Sequence, residues 1–133
     1  MECEQCASWK YGQGRMTLRL KAGIAVLEFS GLISALVLRR LIEAAVDRYG
    51  PLTRGWVSDF RAAVLMVPLD DLAAVTLDTP AGHALRRPGA FVATPGNCDL
   101  MMHHAERVAW QGIWRRTFYE ADDAVAWVAS KVS

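Results

Sequence analysis

Apolar and polar residues alternate from Arg15 to Lys21: Met16, Leu18 and Leu20 fall on one side, and Arg15, Thr17, Arg19 and Lys21 on the other. A period of two with one wet face predicts a strand at or near a sheet edge. Lys21, Ala22 and Gly23 then turn the chain into Ile24–Phe29, apolar on both faces apart from Glu28, so the two segments read as an antiparallel hairpin. Beyond Gly31 the period lengthens. Ser34 is placed to cap a helix in which Ala35, Leu38, Leu41, Ile42, Ala45 and Tyr49 recur at helical spacing, with Arg39, Arg40, Glu43, Asp47 and Arg48 on the opposite side. Gly50 and Pro51 end it, the glycine as a left-handed terminator and the proline as a residue that cannot continue a helix. Trp56, Val57 and Phe60 make the next strand, and the strand–helix–strand step is most simply a right-handed parallel crossover.

The pattern softens from Ala62 to Pro88. Pro68 suits a first helical turn and Leu69, Leu72, Ala73 and Leu77 suit one apolar stripe, but Thr79, Pro80 and Gly82 interrupt it, which predicts a short helix and a loop. Ala90–Thr94 reads as a small strand. Pro95 and Gly96 turn the chain, and Asn97 is placed to cap a helix running to about Gln111, with Gly112 as its terminator. Trp114–Tyr119 is the last strand; after Glu120 the helix Ala121–Lys131 carries Ala124, Val125 and Val128 on its apolar side. The order ββαβαβαβα predicts a single α/β domain over residues 15–133, a mixed and mostly parallel five-stranded sheet flanked by helices. Residues 1–14 show no period and are expected to be a loose segment.

Composition narrows the function more than it names it. The chain has 133 residues, 53% of them apolar, enough for one core. Fifteen Lys and Arg against 14 Asp and Glu leave no net field of the kind that recruits nucleic acid or an anionic membrane. The arginines come as isolated pairs (Arg39 and Arg40, Arg86 and Arg87, Arg115 and Arg116) and read as solvated faces. Three cysteines, an odd number, and a first stretch MECEQCASWKYG without an apolar core predict a reducing compartment, with the cytoplasm as default. The apolar run Ala22–Leu38 contains Glu28 and Gly31, falls short of the roughly 20 residues a span requires, and runs into Arg39 and Arg40; it reads as a buried strand and a helix start.

Four segments, FSGLIS at Phe29–Ser34, VSDFR at Val57–Arg61, RPGAFVATP at Arg87–Pro95 and RTFYEADDAVAWV at Arg116–Val128, stand in this order over nearly the whole chain from Arg15. In order and spacing they resemble the STAS/SpoIIAA-like superfamily, the fold of bacterial anti-sigma-factor antagonists and of small bacterial relatives without an assigned role. The resemblance implies a binding module. It does not carry over the phosphoserine switch: phosphorylatable antagonists place a Ser or Thr at the start of the helix after the third strand, whereas here Asp59 is followed by FRAAVLMVP, without a hydroxyl, and Ser58 falls within the strand.

Candidate chemistry is sparse. Cys3 and Cys6 form one CxxC that zinc would need two further ligands to use, with Cys98, His103 and His104 as candidates; the plainer reading is two solvent-exposed thiols, and no metal or cofactor is expected. His104 shares a stripe with Leu100, Met101 and Val108 while His103 points outward, which predicts a structural His104. Asp59 and Arg61 follow a strand whose carboxyl end opens where open α/β sheets bind ligands, and Thr94 and Asn97 end the neighbouring strand at the same edge. These four form the candidate ligand site; the plainer alternative has Asp59 capping the next turn and Arg61 at the surface. Trp110 and Trp114 flank Gly112 as a candidate aromatic interface. The leading expectation is a non-catalytic binding or protein-interaction module acting through a protein partner or its own dimer, with no nucleic-acid partner and no membrane span. The alternative is a carrier of a small apolar or lipid-like ligand beneath a lid at Val64–Leu85. An enzyme would need Asp59, Arg61 and one histidine within hydrogen-bond reach of one another in a cleft.

Overall fold

The computed structural model describes residues 5–68, 71, 82–109 and 112–132. Among them six strands form one sheet in chain order: β1 (Gln5–Tyr11), β2 (Gly14–Lys21), β3 (Ile24–Ser34), β4 (Gly55–Met66), β5 (Gly89–Val92) and β6 (Arg115–Phe118). The first two pairings are antiparallel and the other three parallel. Helix α1 (Ala35–Tyr49) crosses from β3 to β4, the short α2 (Gly82–Leu85) precedes β5, α3 (Cys98–Ala109) joins β5 to β6, and α4 (Ala121–Val132) closes the chain.

The hairpin and α1 form as the pattern predicts. Lys21 faces Ile24 across a two-residue turn in which Ala22 and Gly23 both have positive φ, 53° and 78°. Ser34 Oγ accepts the Val37 amide at 3.2 Å, a helix cap. The end of α1 differs from expectation: Gly50 is right-handed (φ −53°, ψ −46°) and leads into a 3₁₀ turn over Gly50–Leu52, with Pro51 in its first turn. Gly112 does take the left-handed conformation after α3, at φ 73°.

Three further differences have physical causes. Residues 5–11, expected to be loose, pair with β2 from Gln5–Leu20 to Tyr11–Gly14; Ala7 and Trp9 pack against the core, Trp9 with its ring edge on Tyr49 at 6.2 Å. Gly31, beyond the expected strand Ile24–Phe29, is a kink within β3. At φ 80° it brings the backbone so near the Gln13 carbonyl that a Cβ would collide with it. β4 runs on to Met66 beside β3, and the register shifts between Glu28–Asp59 and Ser30–Ala62, a bulge that sets Phe60 and Arg61 opposite Phe29. The helix expected from Pro68 to Leu77 falls outside the described residues except Pro68 and Asp71, the Asp71 amide bonding the Pro68 carbonyl.

The two faces of the sheet are unlike. One face, bearing Met16, Leu18, Leu27, Phe29, Trp56, Phe60 and Phe91, is covered by α1, α2 and α3 and holds the main core. The other buries Ile24, Val57, Ala90 and Val92 beneath Ala124 and Val128 of α4, the only helix on that face among the described residues. No helix of the described residues is long and apolar enough to cross a membrane.

Candidate functional site

Asp59 and Arg61 meet because the bulge re-aims the strand. Arg61 grips the Asp59 carboxylate with Nε at 3.1 Å and Nη2 at 2.9 Å while its own amide donates to Oδ1 at 3.0 Å, so one carboxylate accepts a fork and a backbone N–H. The side chain of Asp59 is 11% exposed and that of Arg61 41%. The Asp59 hydrogen bonds, opposed by partial burial and supported by Glu120 and Glu28, raise the Arg61 pKa. Glu120, at the start of α4, lies 3.9 Å from Nη1. Together with Glu28, Phe29 and Ala62 the pair lines an open depression of about 350 Å³ on the α4 face.

Thr94 and Asn97 sit beside this pair but serve the backbone. Asn97 Oδ1 accepts the Thr94 amide at 2.9 Å and its Nδ2 donates to the Phe60 carbonyl at 3.3 Å, so the side chain expected to cap α3 instead ties the loop after β5 to the bulge in β4. The structure therefore brings the four predicted residues to one end of the sheet, with the Asp59 carboxylate held by Arg61 and the Asn97 amide spent on the Thr94 amide and the Phe60 carbonyl. His103 and His104 lie elsewhere, on α3. His104 is buried on the other face, edge-on to Phe91 at 5.0 Å and 79°, in the structural position its periodicity predicts, and the sheet separates α3 from Asp59. Asp59 and Arg61 therefore do not meet His104.

The remaining candidates are dispersed. Cys6 is exposed on β1, Cys98 opens α3 on the far side of the sheet, and Cys3 lies outside the described residues. Among the described residues no three His, Cys, Asp or Glu groups come together as metal ligands would. Trp114 is 53% exposed with Lys131 Nζ 4.7 Å above its ring, and Trp110 lies outside the described residues. The described walls beneath α2 enclose a cavity of about 40 Å³ lined by Trp56, Ser58, Phe91, His104 and Arg115, the scale of a water or two. Most of the segment expected as a lid, residues 69–70 and 72–81, lies outside the described residues.

Two features escape sequence reasoning. Arg115 reaches inward from β6 across Gly89, where a Cβ would stand 3.1 Å from its Nη1, and donates to the carbonyls of Leu85, Arg87 and Trp114. Burial lowers its pKa to about 10, which still leaves it charged at neutral pH. Cys98 Sγ approaches the Pro95 carbonyl at 3.6 Å, and its hydrogen bond with Tyr119 raises that phenol above its ordinary value. Neither depends on a sequence spacing.

An opening antiparallel hairpin, a parallel run of strands reached by helical crossovers and helices on both faces define a STAS/SpoIIAA-like α/β fold. Comparison with solved structures agrees. An anti-sigma factor antagonist from Mycobacterium paratuberculosis matches with a TM-score of 0.52 at 18% identity, over 87% of this chain and 94% of that one. SpoIIAA, an anti-sigma factor antagonist in its unphosphorylated form, matches at 0.50 and 12%, over 86% and 97%. The murine anion transporter Slc26a9 matches at 0.58 and 14%, over 82% of this chain but only 18% of the transporter. No protein-family model matches the sequence, and no curated protein is significantly similar to it.

Proposed function

We propose that this chain is a non-catalytic protein-interaction module of the cytoplasm, working through a protein partner or its own dimer and without a phosphoserine switch. The observation that carries the reading is the state of the ligand crevice: the Asp59 carboxylate is closed by Arg61, and Asn97 is spent on Thr94 and Phe60. Groups already satisfied by one another hold a scaffold in shape rather than waiting to move protons. The fold is that of proteins described as anti-sigma factor antagonists, which supports a partner of protein type. Phe60–Pro68 offers no hydroxyl, and Ser58 is buried against the main core, where a kinase does not reach it.

Native mass spectrometry of the freshly purified protein, joined to cross-linked affinity capture from the source cell, tests the reading. The expected result is a homodimer or one stoichiometric protein partner, with no phosphorylated species. A monomer that retains a reproducible small-molecule mass and captures no protein would overturn it in favour of the apolar carrier.

A further inference from the structure

Where β3 and β4 outrun β5, they project as a two-stranded ribbon. Pairing of Ser30–Ala62, Leu32–Val64 and Ser34–Met66 puts one row of side chains on the α4 side of the sheet. Leu32 is 40% exposed there, Val64 58% and Met66 62%, while Ile33 and Leu65 between them turn to the core. Monomeric proteins rarely leave such side chains contiguous without use. The next row continues through half-buried Ser30 to exposed Arg15 and on to exposed Lys10, and Arg19, exposed and ion-paired with Glu28 at 3.2 Å, stands further along β2 on the same side. An apolar strip thus borders a basic one.

We propose that this face is the docking site for an amphipathic acidic helix of a protein partner, its apolar stripe on Leu32, Val64 and Met66 and its carboxylates toward Lys10, Arg15 and Arg19. The inference rests on the interaction-module reading and adds the surface and the chemistry of the partner. Shape agrees with charge. α4 covers only part of this face, and β1 to β3 span about 10 Å at ordinary strand spacing, the width of one helix. A helix beside α4 completes the layer. A broad anionic surface such as a lipid bilayer fits less well. The acidic start of α4, with Glu120 just before it and Asp122 and Asp123 in its first turn, lies at the same end of the sheet, beside Arg61, and repels a plane but not a rod laid clear of it.

The test uses the full chain, isotope-labelled, and two synthetic helical peptides of about 15 residues, some four turns, with leucine at i, i+3, i+4 and i+7 and either glutamate or lysine elsewhere. The glutamate peptide should shift the amide resonances of Arg15, Leu32 and Val64, and the lysine peptide should not. Arg15→Glu with Arg19→Glu should weaken the glutamate peptide about tenfold and favour the lysine one. Leu32→Asp with Val64→Asp, all at exposed positions, should remove binding while the melting transition survives. Equal binding of both peptides, shifts confined to another face, or binding of phosphatidylglycerol vesicles but not of the glutamate peptide would overturn the proposal. So would self-association of the free protein that Leu32→Asp abolishes, which would make a second copy the occupant. Affinity capture separates the two levels. If wild type and Leu32→Asp/Val64→Asp bring down the same partner, the surface is wrong and the module reading stands; if wild type brings down none and is monomeric, the module reading itself fails.

Discussion

The two faces of this sheet are built by the same strands and come out differently. In β4, Trp56 and Phe60 point to the face under α1, α2 and α3, where Phe60 stacks on Phe29 at 4.6 Å and 14° and meets Phe91 at 6.1 Å. Val57 and Asp59 point to the other face, where mostly small aliphatic residues meet α4 and the remainder is ionic or, at Leu32, Val64 and Met66, apolar and uncovered. Large aromatic side chains stabilise a thick, continuous core, and small ones with ionic partners leave a thin layer that one helix covers. The difference assigns stability to the first face and availability to the second. Phe60→Ala should therefore carry the largest effect, about 3–5 kcal/mol read from the urea midpoint, since it removes one ring of a stack and leaves a cavity. Val57→Ala, fully buried three residues away on the other face, should cost about 2 kcal/mol. Equal losses at the two sites would remove the asymmetry.

The ionic pair on the second face sits between these extremes. Arg61→Met leaves the nearly buried Asp59 carboxylate with only a backbone amide. Because the arginine side is substantially exposed, the expected cost is about 1–2 kcal/mol rather than that of a fully buried pair. Asp59→Asn in the Arg61→Met background should recover part of it, since the uncompensated charge is gone, and the double-mutant cycle in chemical denaturation measures the coupling. A cycle near zero would mean that the bulge holds its shape without the pair, so that Asp59 and Arg61 remain available for a ligand.

How much of this was legible in the sequence differs by face as well. The core side reads directly: period two in β2, period 3.6 in α1 and α3, and a buried His104 all follow from spacing. The open side does not. β1 alternates Ala7, Trp9 and Tyr11, but polar neighbours and its half-buried edge position give it a weak signal, and pairing with β2 decides it. The ribbon Ala62–Met66 is short of β-branched residues and has apolar side chains on both sides, so no period marks it as strand; the parallel ladder with β3 overrides propensity. Asp59 and Arg61 are visible as neighbours two apart, but not the bulge that turns the guanidinium onto the carboxylate. Arg115 reads as one of a solvated pair because nothing local records that Gly89 leaves room for it to reach three carbonyls.

A smaller effect of opposite sign lies in the hairpin that carries the open half. Ala22 holds φ 53°, a conformation that costs a residue with a Cβ about 1–2 kcal/mol. Glycine removes that strain but brings more entropy to the unfolded chain. Ala22→Gly should raise stability by about 0.5–1 kcal/mol, seen as a higher midpoint at unchanged slope. A loss would mean that the turn relaxes away from the left-handed region in solution.

The smallest effect is the most informative about the open face. Arg19 and Glu28 pair at 3.2 Å across β2 and β3 with side chains 54% and 49% exposed. Such a pair contributes roughly 0–1 kcal/mol and less as salt rises. Glu28→Gln should therefore change the denaturation midpoint by less than about 0.5 kcal/mol, and the small difference should vanish in high salt. The same substitution removes one of the few carboxylates from a face otherwise marked by Lys10, Arg15 and Arg19, so a surface that recruits acidic partners should bind them more tightly with glutamine at this position. Stability and recognition then move separately at one residue. If Glu28→Gln instead destabilised the protein strongly and left acidic peptides unaffected, the polar face would belong to the fold's own support, and its contrast with the aromatic face would be one of composition alone.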